Sequence, residues 1–514
     1  MNEPLPRRAR NIILAAFTVY LMALALTVKI APLQDQMDWV LQAKILAHPS
    51  LPVAQDYTIR PAPTPNLLGT LAIALAAKAL PIFAAARTVY ALYLAWFVLA
   101  FVYLARSDGR ERALVELLGP LYAMNHFFLM GFYNFVLGLA FALFTLGWLR
   151  RRADDRSPWT WLGFSLLVTA TYLSHFLAFG VLTLGCLAIA WRAYGKDWRA
   201  YGPGVAAYLP ALIGLAWYIA ERGGEFWFHY AFHNPLYYLW YKVGPWAVAS
   251  GYYPLTPTWA MWVNVTLNAA AIVAVPLLAL RAIVNKRAPL RDPLVLTALA
   301  LTILALAAPT RIFELLRPGQ RLLFAAVLLF AATALPGKPT TPGKHRAAAL
   351  ALAALLAWNG YWWLDATRKT DAELKVLAAT IPADADMLLL TDSHFHYREP
   401  RALCEKLVDP YSYPNSVNPL RYLPYAQIIE HGGRIRSLFG TGIVHAKHRD
   451  LLPAINRPWH LSDPARAGVY SHLVATGQAD NLADIAQKTS ALFAELYRDD
   501  YLLIMERIPP APAD

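Results

Sequence analysis

"NIILAAFTVYLMALALTVKIAPLQDQMDWVLQAKIL", Asn11–Leu46, passes from an almost charge-free apolar run straight into a segment with two acids, Asp35 and Asp38. The apolar part reaches the length of about 20 residues that spans a bilayer core. It follows the basic "PRRAR", and no small-residue cleavage site ends it, so it reads as a retained first span and not a signal peptide. The rest of the chain repeats the pattern. Of its 514 residues 58% are hydrophobic and 15% charged, where soluble domains run near 45–50% and about 25%. These features predict an all-α polytopic membrane bundle.

The formal net charge is +13. No basic tract of nucleic-acid-binding character carries it, so nucleic acid is excluded as a partner. The excess sits in clusters between apolar runs: Arg7/Arg8/Arg10, Arg106/Arg110/Arg112, Arg150–Arg152, Arg192/Lys196/Arg199, Arg281/Lys286/Arg287/Arg291 and Lys338/Lys344/Arg346. Such clusters belong on the cytoplasmic side of a membrane protein. "NLLGTLAIALAAKALP" (Asn66–Pro81) then decides the parity. As a full span it would put Arg106 and Arg150 outside. As a re-entrant or juxtamembrane segment it leaves every cluster inside.

On that reading about eleven spans are expected: 11–31, 84–105, 113–129, 132–149, 158–174, 176–192, 204–220, 259–280, 293–309, 320–336 and 346–364. The N-terminus is then cytoplasmic, 32–83 is the external first loop and 1–364 is the membrane domain. Residues 365–514 turn polar, with alternating runs such as "ADMLLLTDS" and "YLLIMERI". They predict a small α/β or α+β extracytoplasmic domain. Cys186 and Cys404 lie far apart in unlike surroundings and support neither a disulfide nor a thiolate metal site.

Chemistry-bearing residues gather on the external side. Asp35 and Asp38 are three apart at helical spacing, so both carboxylates could share a helix face. There they could accept a proton or hold a divalent cation such as Mg or Mn. The plainer reading makes them helix-start residues stabilised by the N-terminal dipole. "DYTIRPAPTPN" adds Asp56 and Arg60 in a proline-stiffened stretch. "MNHFFLMGFYNF" places Asn125, His126 and Asn134 among aromatics, and "YLSHFLAF" places His175 at a second short outer turn. Polar groups at membrane depth are costly and mark sites or pathways, although an aromatic belt explains the neighbouring rings. "PTRIFELLRPGQR" (Pro309–Arg321) puts Arg311, Arg317 and Arg321 outside, against the charge bias. Guanidinium forks suit phosphate oxygens; snorkelling, with Glu314 pairing one arginine, is the alternative. The aromatic stretch 221–246 reads as an interfacial helix. His229 and His233 in it, like His394 and His396 in the tail, make weak zinc pairs.

A first span entering a long external loop headed by an acid resembles the GT-C superfamily of membrane glycosyltransferases, which includes protein O-mannosyltransferases and aminoarabinose transferases. The stretches that carry the resemblance are "QMDWVLQAKIL", "RPAPTPNLLGTLAIAL" and "RIFELLRPGQR". The second acid of the family's frequent pair is here Trp39, and the doubled proline is interrupted. "GFYNFVLGLAFAL" and "LPYAQIIEHGGRIRSLF" are similar to a group of bacterial multi-pass membrane proteins. The resemblance implies a polyprenyl-phosphate-linked sugar donor, a glycan, lipid or protein acceptor, and a place in the bacterial inner membrane among its lipids. It implies Asp38, with Asp35 the alternative, as the acid that orients or deprotonates the acceptor, and an arginine from the late loop on the lipid phosphate. The rival functions are a transporter or flippase for a lipid-linked glycan, and a non-catalytic scaffold for polysaccharide assembly. A carrier generally needs ionisable groups near the midplane, and the span centres here are nearly free of them.

Overall fold

The computed structural model describes the chain except residues 1–5, 52, 55–56, 61–62, 111, 153–154, 156, 222–227, 230–241, 244–246, 250, 286–289, 313–314, 336–340, 392–415, 433, 436–443, 447–469 and 510–514. Asp56, His233, Glu314, His394, His396 and Cys404 therefore lie outside the described residues.

The first helix, α1 (Arg7–Leu26), ends where the Thr27 N–H closes on Ala23 O. The chain then bends and turns through 27–35 to α2 (Gln36–Ala47), which stops at His48, before Pro49. Asn66 in the left-handed region starts α3 (Leu67–Ala76), and Pro81 precedes α4 (Ile82–Ala105). At about 1.5 Å per residue α3 is half the ~30 Å of a hydrocarbon core, a length that suits the re-entrant or juxtamembrane expectation for 66–81. Helices Tyr133–Arg152, Pro158–Ser174, Phe176–Tyr194, Gly202–Glu221, Thr258–Val284, Pro293–Ala307, Pro318–Thr333 and Pro342–Thr380 complete the bundle.

Six helices among the described residues are long and apolar enough to cross a membrane by length and composition. They are α1, α4, Tyr133–Arg152, Phe176–Tyr194, Trp198–Glu221 and Pro342–Thr380. Shorter apolar helices occupy 67–76, 113–129, 258–274, 293–307 and 318–333. One expected span is interrupted. Residues 113–129 are not a continuous helix but three pieces, Ala113–Glu116, Leu118–Ala123 and His126–Leu129. The break comes at Asn125, whose side chain accepts from Phe128 N and restarts the helix. Pro342–Thr380 is one helix of 39 residues and runs through the expected boundary at 364.

Beyond that helix a mixed five-stranded sheet has the order Phe493–Arg498, Leu502–Arg507, His472–Thr476, Asp386–Thr391, Arg434–Ile435. The pairs His472–Thr476 with Asp386–Thr391, and Asp386–Thr391 with Arg434–Ile435, are parallel; the other two are antiparallel. One face buries Leu388, Leu390, Leu473, Leu503 and Met505 against Leu482 and Ile485 of helix Ala479–Thr489, as the period-2 pattern requires.

This domain is stitched to the first loop. Tyr57–Ile59 pairs antiparallel with Val444–Ala446, and Gly251–Tyr252 pairs parallel with Ser416–Val417. Helix Leu423–His431 packs on α2. Lys44 Nζ donates to Ile429 O, and Lys29 pairs with Glu430 at 2.8 Å.

Candidate functional site

Asp35 is the residue just before α2, and its side chain makes no capping hydrogen bond. The carboxylate is buried, 2% exposed, and turns instead toward cations. Its backbone is held from behind: Gln34 N donates to Leu129 O at 3.0 Å and Asp35 N to Met130 O at 3.1 Å. Gly131 closes the same contact. With φ +79° it occupies the left-handed region, and a Cβ there would stand 2.7 Å from Asp35 N and 2.8 Å from Gln36 N. Only glycine lets the two chains approach this closely.

Three guanidiniums act on that carboxylate. Arg421, from the segment between the sheet domain's strand Ser416–Val417 and helix Leu423–His431, lies 4.0 Å from Asp35 Oδ1. Arg317 and Arg321, at the head of helix Pro318–Thr333, also act on it electrostatically. Burial pushes the Asp35 carboxyl above the usual carboxylate range; Arg421, the Gln34 amide, Arg317 and Arg321 pull it back down. Arg317 sits in the left-handed region at φ 57°, with its N–H on Thr310 O at 2.9 Å and Nη1 at 3.1 Å from Met130 Sδ. A non-glycine residue there stores strain that surrounding structure must hold. Lys242 helps fix this corner. Its Nζ donates to Ala305 O, Leu306 O and Ala308 O at 2.6, 2.5 and 3.0 Å, closing the C-terminus of the preceding helix.

Arg321 Nη1 meets His175 Nε2 at 2.6 Å, with its guanidinium 4.6 Å from the Phe132 ring centre. His175 caps helix Phe176–Tyr194 by accepting from Leu177 N at its Nδ1, 3.0 Å away. A neutral imidazole that accepts at Nδ1 carries its proton on Nε2. Two N–H groups cannot hydrogen-bond one another, so Leu177 N and Arg321 compete for the one ring lone pair of a neutral His175. His126, 1% exposed, lies within the field of Arg317.

The structure thus brings together Asp35, His126, His175, Arg317 and Arg321, and adds Arg421. Arg421 stands in a polar segment with no periodic signal, and sequence reasoning missed it. Asp38 Oδ2 accepts from Gln42 Nε2 at 2.7 Å and its charge is felt at Tyr133. Asn134, expected to touch substrate, ties helices together: its Oδ1 accepts from Gly69 N at 3.0 Å. A Cβ at Gly69 would sit 2.2 Å from Tyr133 Cε2. Asn125 is likewise engaged internally, donating to Tyr93 Oη and Tyr122 O at 3.2 and 3.0 Å. Arg60 is half-buried just past the strand Tyr57–Ile59. Arg311 lies on a short strand in register with Leu316 and His229; His229 is thus in a strand and not in the expected interfacial helix.

Among the described residues no group of three or more His, Cys, Asp or Glu converges.

No protein-family model matches the sequence, and neither does any curated protein. Among solved structures the chain is similar to ArnT from Cupriavidus metallidurans bound to undecaprenyl phosphate. The TM-score is 0.50 at 10% identity, over 98% of this chain and 99% of that one. A structure of the arabinofuranosyltransferase AftD from Mycobacteria is similar at TM-score 0.47 and 14% identity, over 99% of this chain and 40% of AftD. The ArnT likeness shows the fold alone: nearly the whole chain follows the architecture of that structure.

Proposed function

We propose that this protein transfers a sugar from a polyprenyl-phosphate-linked donor to an envelope acceptor hydroxyl, at the external face of the bacterial inner membrane. The observation that carries the reading is Arg421 at 4.0 Å from the buried carboxylate of Asp35, with the charges of Arg317 and Arg321 acting on it as well. Arg317, Arg321 and Arg421 put positive charge about this buried carboxylate. A departing phosphate monoester carries about −1.5 to −2, more than a singly charged donor diester, and such charge suits a cationic site. Charge that develops in the transition state is what such a preorganised site stabilises. That the ArnT neighbour holds undecaprenyl phosphate supports the choice of donor class.

In the reaction the acceptor hydroxyl gives its proton to Asp35 as its oxygen bonds to the anomeric carbon. The bond from that carbon to the phosphate oxygen breaks, and the electron pair leaves with the lipid phosphate onto the arginines. Configuration inverts. Asp35 is preferred to Asp38 as base because its carboxylate stands in the arginine field, whereas Asp38 is bonded to Gln42. His175 and His126 border the phosphate position. About eleven spans, a cytoplasmic N-terminus and an external sheet domain complete the proposal, on the charge bias of the loops.

The test is transfer in purified membranes. Asp35→Asn, nearly isosteric, should cut turnover by roughly 10²–10⁴-fold at normal expression. Undiminished turnover would sink the assignment. In sealed cells, external labelling should reach a cysteine at Ser471 and miss one at Ser107; the reverse would invert the topology.

A further inference from the structure

At the end of the bundle opposite Asp35, a cavity of about 330 Å³ is bounded by Arg7, Arg10, Arg106, Arg110, Arg151 and Glu116. It lies where the start of α1, the end of α4 and the end of helix Tyr133–Arg152 meet. Among the described residues five arginines and one carboxylate line it. Arg106 takes both Glu116 oxygens, at 3.0 and 2.6 Å, and Arg10 Nη1 stands 4.0 Å from the same group. Neighbouring Asp108 is engaged by Arg112 at 2.6 Å and lies 3.8 Å from Arg110. The described lining of the cavity thus carries more arginines than carboxylates.

Loop-anchoring arginines need only reach water. Here Arg10 is 3% exposed, Arg106 is pinned further by Asn11 Oδ1 at 2.8 Å, and its carbonyl accepts from Arg151 Nη2 at 2.9 Å. Ser107 adds an independent sign. It lines the same cavity, is 9% exposed, and its hydroxyl oxygen is buried without a hydrogen-bond partner. Buried hydroxyls are almost always satisfied, so this one points to an acceptor supplied from outside the chain. Basic pockets between transmembrane helices suit phosphate headgroups. We infer that this cavity is a second binding site, one that takes a phosphate group, supplied by an anionic phospholipid of the adjoining leaflet. The arginines fork onto its oxygens, the Ser107 hydroxyl donates to one of them, and Glu116 holds Arg106 and Arg10 in place. The site does not depend on the sugar-transfer proposal.

The full chain is reconstituted in nanodiscs of phosphatidylcholine, with and without phosphatidylglycerol. The thermal midpoint and the lipid retained in native mass spectrometry are read. Wild type should retain phosphatidylglycerol and melt higher with it. The double variant Arg7→Gln/Arg110→Gln removes two exposed charges of the rim. It should weaken retention roughly 30-fold, since each arginine near an anionic surface is worth about 1 kcal/mol and 1.4 kcal/mol is a decade. Should that variant melt lower already in phosphatidylcholine, Ser107→Ala reads the same site without changing charge and should also lose retention. A rise in midpoint with inorganic phosphate, absent in both variants, would assign the site to soluble phosphate. Equal retention of both lipids by wild type, with no effect of inorganic phosphate, overturns the inference. So does undiminished retention in both variants.

Discussion

Replacing Gly131 by alanine tests the proposed catalytic corner without touching a charged group. The new Cβ would stand 2.7, 2.8 and 2.9 Å from Asp35 N, Gln36 N and Asp35 C, all backbone atoms that no rotamer change can move aside. Ordinary non-bonded contact begins near 3.5 Å, so the head of α2 must retreat by roughly 0.7 Å. Gly131 also has φ +79°, which costs an alanine about 1–2 kcal/mol. The retreat strains the bonds from Gln34 N and Asp35 N to Leu129 O and Met130 O and carries the Asp35 carboxylate away from Arg421. Misplacement of a reacting group by ~1 Å can cost about 100-fold, so turnover should fall by roughly 10- to 100-fold. Sugar transfer from a polyprenyl-phosphate donor in membranes is the readout, with thermal midpoint measured beside it. Gly180→Ala is the control: nothing lies within 4 Å of its Cβ position, and activity should be unchanged. A Gly131→Ala protein that turns over like wild type would refute the claim that this contact positions the acid.

Three further outcomes are expected. Asp38→Asn should reduce turnover far less than Asp35→Asn, because it alters a hydrogen bond within α2, to Gln42; the reverse order would restore Asp38 as the base. Arg421→Gln removes the nearest charge pulling the Asp35 carboxyl down, so the acid limb of the pH–rate profile should move to higher pH. The sign for stability follows: a buried carboxyl with a raised pKa stabilises fully below its ordinary value and loses that contribution as pH rises through the folded one, so Arg421→Gln should melt lower at neutral pH. An unchanged limb would remove Arg421 from the site. In Arg317→Gly the relief of a left-handed residue, about 1–2 kcal/mol, opposes the loss of a cation from Asp35, so the midpoint should change little while donor saturation weakens. Unaltered donor dependence would show that Arg317 only shapes the backbone.

Hydropathy and loop charge are local properties, and they sufficed for the membrane class, for the helices around most of the apolar runs and for the sheet-bearing tail. The acid-headed first loop and the arginines of Pro309–Arg321 were legible for the same reason: charge placed beside lipid is anomalous wherever it stands. Other features had no local signal. The break at Asn125 depends on one side chain choosing to cap Phe128 N, and the helix through 364 stays helical because polar "DATRKTDAEL" continues a pattern begun by apolar residues. Which acid meets the arginines was beyond sequence altogether. Asp35 and Asp38 differ little by spacing, and the choice between them falls to Gly131, which lets two backbones touch, and to Arg421, delivered from the far end of the chain by strand pairing and helix packing on the first loop. Apolar burial determines that such a chain folds into a bundle; the convergence of a few buried charges is decided by long-range contacts, because each charge must find its partner across the fold or remain in water.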